Sequence, residues 1–281
     1  MKNQQILAVA AVAVASMATV QAQTITAWQF DNDYVAPVPP ATLDYNASPA
    51  ASTGSGVAMA LGMSNSYNNT NSVSNPDILS SSGSSTGTLQ PYAWRVRGAG
   101  TGTSAGNGWS SLAPIATQGA SFAASTVGYN TINVSVDIDT TAQAERNLAI
   151  LYTLNDTVGS PTWLNATLTS AGNLGTIANN SSSANTISGN YVQLGSGWNN
   201  LITASLPGAQ DDANLAVEIV NASTGADCVN ISGAALNNTS GNWRYDNAII
   251  SGALDTPEPS SLALAGIGLT SLLAYRRSRK A

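Results

Sequence analysis

Thr131-Ile132-Asn133-Val134-Ser135-Val136-Asp137-Ile138-Asp139 is the stretch whose reading settles the fold class. Ile132, Val134, Val136 and Ile138 fall on one face, and Asn133, Ser135, Asp137 and Asp139 fall on the other. A period of two is the side-chain period of extended backbone, so the stretch predicts a half-buried strand. Leu148, Ile150, Tyr152 and Leu154 repeat the alternation, and Leu215, Val217 and Ile219 do so again with Glu218 facing out. Weaker versions run over Thr24–Phe30, Tyr92–Arg97, Thr162–Leu168, Tyr191–Leu194, Asn200–Leu206 and Trp243–Ile250. About nine strands are expected in all.

Turn chemistry separates them. Asn155-Asp156-Thr157-Val158-Gly159-Ser160-Pro161, Gly195-Ser196-Gly197, Pro207-Gly208 and Asn237 to Asn242 are rich in residues that favour turns. Only Thr141–Arg146 suggests a helical turn. Parallel strands need crossover helices, and the sequence offers none, so an all-β antiparallel sandwich or barrel is expected. Ala36–Ser55, rich in Pro and Ala, and Ser64–Gly87, dense in Ser and Asn, read as long surface loops.

Both ends of the 281-residue chain differ from this body. Met1 to Ala22 has Lys2, the apolar run Ile6–Ala15 and the close Val20-Gln21-Ala22. That order describes a secretory signal helix cut between Ala22 and Gln23. Three segments follow: a signal peptide over 1–22, a β-sandwich domain over 23–255 and a tail over 256–281. The tail opens with Pro257-Glu258-Pro259, continues through the uncharged Ser260–Tyr275 and ends on Arg276, Arg277, Arg279 and Lys280. As a helix, the uncharged run would be about 24 Å long at ~1.5 Å per residue. The hydrocarbon core is about 30 Å thick, so the run can enter a bilayer but is short for a permanent transmembrane helix. The basic end stays cytoplasmic by the positive-inside rule, which puts the body on the far side of the inner membrane. The signal peptide asks for the same orientation.

The order of proline-bracketed glutamate, apolar run and basic end resembles the PEP-CTERM sorting signal of Gram-negative bacteria. The resemblance implies recognition in the inner membrane by an exosortase-type protease, with transient insertion through the C-terminal helix. Cleavage near the motif and delivery to the cell surface or extracellular matrix then follow. It also implies a setting rich in exopolysaccharide, a candidate partner of the body. Trp243-Arg244-Tyr245-Asp246-Asn247-Ala248-Ile249-Ile250-Ser251-Gly252 loosely resembles the closing strand of jelly-roll domains found before such tails. Asp246 there is a candidate either to pin the strand or to hold an ion.

Composition narrows what the body can do. Between Gln23 and Asp255, fourteen acidic residues face four basic ones, Arg95, Arg97, Arg146 and Arg244. Such a surface does not bind nucleic acid by neutralising phosphates. The chain has no histidine, which excludes Ser-His-Asp and Cys-His catalysis and the common zinc sites. No lysine lies in the body and no Gly-rich strand-to-helix loop is present, so neither Schiff-base chemistry nor a nucleotide site is indicated. No enzyme, metal site or cofactor is expected. Calcium is the one ion the sequence leaves open, at Asp31-Asn32-Asp33 and Asp211-Asp212, though neither forms a full binding-loop pattern.

Asp137 and Asp139 point the same way, roughly 7 Å apart by strand rise. They read as solvent-facing residues of an edge strand, with a glycosidase acid pair as the rival reading. Cys228, the sole cysteine, reads as a small buried residue before a strand. Six tryptophans, Trp28, Trp94, Trp109, Trp163, Trp198 and Trp243, are expected mostly in the core. Trp109, in Gly106-Asn107-Gly108-Trp109, is the candidate to bind a glycan. The Asn-x-Ser/Thr triplets at Asn46, Asn165, Asn221 and Asn238 are as frequent as this composition produces by chance. The leading expectation is a surface-sorted structural component, with a glycan-binding module second and a hydrolase third.

Overall fold

A computed structural model describes residues 21–30, 49–62, 93–96, 109–174, 185–236 and 241–255. The signal segment, most of both expected loops and the tail beyond Asp255 lie outside the described residues.

Thirteen strands are described. In chain order they are β1 (Ala22–Trp28), β2 (Gly56–Leu61), β3 (Trp94–Val96), β4 (Gly119–Ala124), β5 (Tyr129–Thr140), β6 (Asn147–Thr153) and β7 (Leu164–Asn165). They continue with β8 (Thr167–Leu174), β9 (Thr186–Ser188), β10 (Tyr191–Gln193), β11 (Gly197–Ser205), β12 (Leu215–Asn221) and β13 (Trp243–Leu254). One sheet, sheet A, runs β1-β13-β5-β11-β8, with β3 also on β13. The other, sheet B, runs β2-β4-β12-β6-β10-β9, with β7 also on β6. Every pairing is antiparallel. If β1, β4, β5, β6, β10, β11, β12 and β13 are counted one to eight, the sheets read 1-8-3-6 and 2-7-4-5, the jelly-roll order.

The alternation that begins at Thr131 does what it should. Ile132, Val134, Val136 and Ile138 of β5 are all buried in the core. Leu148, Ile150 and Tyr152 of β6 and Leu215, Val217 and Ile219 of β12 meet them from sheet B in one continuous cluster. Large rings fill the end of the sandwich near β13. Phe122 lies 5.1 Å from Trp28 and 5.9 Å from Tyr245, centroid to centroid. The Tyr245 hydroxyl donates to the Ile219 carbonyl at 3.1 Å, a direct bond from sheet A to sheet B. A buried phenol needs such a partner, which fixes the ring as well as the spacing between the layers.

The structure corrects several local expectations. Thr162–Leu168 is not one strand. β7 pairs with β6 in sheet B, β8 pairs with β11 in sheet A, and the chain changes sheets at the buried Ala166. Thr141–Arg146 forms turns and a bridge, Glu145 to Asn230, in place of a helical turn. Residues 229–236, directly after Cys228, form no strand; the chain folds back there through the bridge Val229 to Ala235. Strands β2, β4 and β9 carry no strong apolar alternation. At Gly56 of β2 and Gly119 of β4 the residue is glycine because neighbouring backbone comes close. Gly119 of β4 has φ +149°, and a Cβ there would run into the Ile219 carbonyl.

Asp137 and Asp139 are not on an edge. Strand β5 is interior, between β13 and β11, and Asp137 is 4% exposed. Asp139 forms an ion pair with Arg244, Nη1 to Oδ2, at 2.6 Å. Burial raises the Asp139 pKa, with the charge and hydrogen bond of Arg244 pulling the other way. Asp137 sits between two bulges. On β11 the register slips between Asn199 and Ile202, and Leu201 takes φ 59°. On β13 it slips between Asp246 and Ile249, and Asn247 takes φ 46°. Asp137 Oδ1 accepts the Leu201 backbone N–H at 2.7 Å, and its Oδ2 accepts Asn247 Nδ2 at 3.0 Å. One carboxylate thus supplies partners to a strained residue on each side.

Hydrogen bonds to a charged group are worth about 1.5–3 kcal/mol each. Asp137→Ala is therefore expected to lower the unfolding free energy by about 3 kcal/mol, and Asp137→Asn by less, because an amide keeps one acceptor. Urea denaturation of the two variants checks this order.

Candidate functional site

Strand β13 brings the chain to the point where the tail begins. Its last partners are Asn130 and Tyr129, opposite Ala253 and Leu254. Asp255 then closes the body: its N–H donates to the Gly128 carbonyl at 2.9 Å, and its Oδ1 accepts Asn130 Nδ2 at 2.6 Å. Only Thr256 separates this clamp from Pro257-Glu258-Pro259. Beside β13 lies β1, with Ala22 opposite Ala253 and Gln23 opposite Gly252. The expected signal-peptide cut and the start of the tail therefore sit on neighbouring strands at one end of sheet A. Pro257, Glu258, Pro259, Arg276, Arg277, Arg279 and Lys280 themselves lie outside the described residues.

Trp109 does not offer a face to a sugar. It is 1% exposed, and its ring lies 4.2 Å from that of Trp243 inside the core. The glycine-rich approach to it suggested an exposed loop, but the indole is the largest apolar body nearby and packs against its own kind. Trp28, Trp94, Trp198 and Trp243 are buried as well. Trp163 alone is half-buried. Asp246, fully buried, lies opposite Asp137, and its Oδ1 accepts the N–H of the next residue, Asn247, at 2.7 Å. That bond serves the β13 bulge. In the Asp211-Asp212 turn, Asp211 Oδ1 accepts the Gly128 N–H and Asp212 Oδ1 the Asn214 N–H. Asp31 and Asp33 lie outside the described residues. Among the described residues, no three acidic or cysteine side chains gather as a metal set would.

Sequence reasoning missed a buried polar network around Glu145. The carboxylate is fully buried, and Oε1 accepts the Ser223 hydroxyl at 2.6 Å and the Asn147 N–H at 3.1 Å. The Cys228 thiol reaches Oε2, and Trp243 Nε1 donates to the Glu145 carbonyl at 2.9 Å. Burial raises the Glu145 pKa, and the bonds from Cys228, Ser223 and Asn147 oppose the rise. Burial, with the bond to Glu145 and its charge, pushes the Cys228 thiol up to about 12. Such a thiol is neither a nucleophile nor a ready partner for a disulfide. The signal for this network, a lone Glu among small polar residues 145 to 147 and 223 to 228, is too dispersed to read from the sequence.

The outer face of sheet B carries the remaining unusual groups. Glu218 is 8% exposed, and burial together with the charge of Asp156 raises its pKa to about 7. Further along the same face opens a cleft of about 420 Å3, lined in part by Asn147, Tyr191, Gln193, Ser223 and Asp227.

Comparison with known proteins bears on the tail alone. Residues 255–280 match the model of the PEP-CTERM protein-sorting motif. No curated protein and no solved structure matches the chain. The chain is thus an all-β jelly-roll protein with a C-terminal sorting segment. That segment is the PEP-CTERM motif, which supports export and sorting to the cell surface by an exosortase-type system. The match begins at Asp255, the residue that closes the sandwich. No helix among the described residues is long and apolar enough to cross a membrane.

Two solution properties follow. The Cys228 thiol is expected to react with a maleimide at least ~100-fold more slowly in the native protein than in denaturant, as a protonated and covered thiol must. Glu218 holds its proton more tightly folded than unfolded. Its cost to folding is absent below pH 4.5 and grows as pH rises through about 7. Glu218→Gln is expected to stabilise the protein by about 1–2 kcal/mol at pH 8, allowing for solvent screening at the carboxyl tip. That gain should vanish near pH 4.5, which denaturation at the two pH values measures.

Proposed function

We propose that the protein is a non-enzymatic component of the envelope or exopolysaccharide matrix, cut from an inner-membrane precursor by an exosortase-type protease. The observation that supports this best is the join itself. The sorting motif begins at the residue that closes the sandwich, so cleavage in the tail frees the body without removing any part of its sheets. The inner-membrane step draws support from the apolar run and basic end of the tail. The non-enzymatic reading draws support from the fate of the acidic groups. Asp137, Asp139 and Glu145, the carboxylates best placed for chemistry, are engaged in bulges, an ion pair and a buried network.

The reading is tested in a host with an intact sorting system. Wild type should appear as a shortened body in the surface or matrix fraction. Glu258→Ala and a deletion of 256–281 should change that distribution: the first should accumulate as uncleaved precursor in membranes, and the second should pass to the periplasm or medium. Identical fractionation of all three would refute sorting through this tail. In cells unable to make exopolysaccharide, the processed wild-type body should shift to the medium; unchanged retention would refute the matrix association.

A further inference from the structure

We infer that the cleft on the outer face of sheet B is a binding site for a neutral, hydroxyl-rich polysaccharide, a proposal that relies on the matrix reading only for the setting in which the glycan is met. The site is built by the ends of three elements. Tyr191 and Gln193 come from β10, opposite Ala149 and Asn147 of β6. The turn after β12 adds Ser223 and Asp227, and Ile115 closes the rim. At about 420 Å3 the cleft falls within the ~300–1,000 Å3 range of small-ligand sites.

Its chemistry is specific. Ser223 gives its proton to Glu145, so its oxygen is free to accept, and it takes the Asn147 Nδ2 at 3.2 Å. That chain of donors fixes which way the Asn147 amide points. The other end of the amide, Oδ1, is buried and has no hydrogen-bond partner. An acceptor left bare in this way costs free energy, and the Asn147 side chain that carries it lines the cleft. Tyr191 adds an aromatic surface, whose electron-rich face suits the C–H side of a sugar ring. Among the described residues, Asp227 is the only charged side chain in the lining. An acidic group at the rim disfavours uronates and other acidic sugars.

The face also has the length for a chain. Leu164 pairs with Tyr152, which places the half-buried Trp163 level with Thr153. Tyr191 is level with Ala149, four residues away along β6, about 13 Å at ~3.3 Å per residue. Two aromatic side chains that far apart, one on β10 and one on the approach to β7, suit separate sugar rings of one extended glycan.

Affinity electrophoresis of the full chain in detergent tests the site, with a neutral β-linked glucan or alginate cast in the gel. The glucan should retard wild type and alginate should not. Tyr191→Ala should weaken glucan binding at least 10-fold, and Trp163→Ala should weaken it more for long chains than for short oligomers. Thr169→Ala, on the opposite sheet, should bind as wild type does. Near-ultraviolet circular dichroism identifies any variant that has lost its fold. Absence of retardation by the glucan, equal retardation by alginate, or a folded Tyr191→Ala that binds normally would each overturn the site. None of these outcomes touches the sorting reading, which fractionation decides separately.

Discussion

Asp137 is the side chain on which sheet A turns. Its two oxygens reach the bulged strands on either side, the Leu201 N–H on β11 and the Asn247 amide on β13. Both bulges hold a non-glycine residue at positive φ, a conformation that costs free energy unless the surroundings demand it. The bulges in turn let the three interior strands twist while Val136 and Ile138 stay in the core. A charge buried in the middle of a sheet is thus tied to the curvature that lets this sheet cover its partner.

The body and the tail divide the work. The body is held by apolar packing, one inter-sheet phenol bond and a few buried polar staples, with its single thiol covered and protonated. It needs no disulfide, which suits a protein that meets an oxidising compartment with only one cysteine. The tail carries the address. Because Pro257-Glu258-Pro259 lies beyond both the last ladder bond of β13 and the Asp255 clamp, a cut in the tail leaves the sheets whole.

The fold was legible where side chains differ strongly in polarity. The alternation in β5, β6 and β12 stands out because Ile, Val and Leu face Asn, Ser and Asp or Glu. Strand β2 was not legible because it turns Val57 and Met59 to the outside and buries Ala58; β4 was not, because Gly, Ala and Ser differ little in polarity, and Gly119 is required by the Ile219 carbonyl, which no local pattern reports. The same limit governs the site residues. Trp109 was singled out by its glycine-rich approach, but burial depends on Trp243, more than a hundred residues away. The cleft joins residues from 115, 147, 191 to 193 and 222 to 229, so only the folded chain assembles it. The tail was legible as a PEP-CTERM motif, because its meaning lies in linear order rather than in contacts.

The neighbourhood of β1 and β13 has a further meaning in time. Strand β1 is the first strand of the body along the chain, and β13 is the last. Among the described strands β1 forms its ladder with β13, beside an isolated bridge from Ala27 to Thr53, and β13 lies inside the sheet between β1 and β5. The ladder of β1 therefore cannot form until almost the whole body is available to fold. Sheet A is completed only as the segment just ahead of the tail joins it, so completion of the fold itself registers that the chain is present up to the sorting signal.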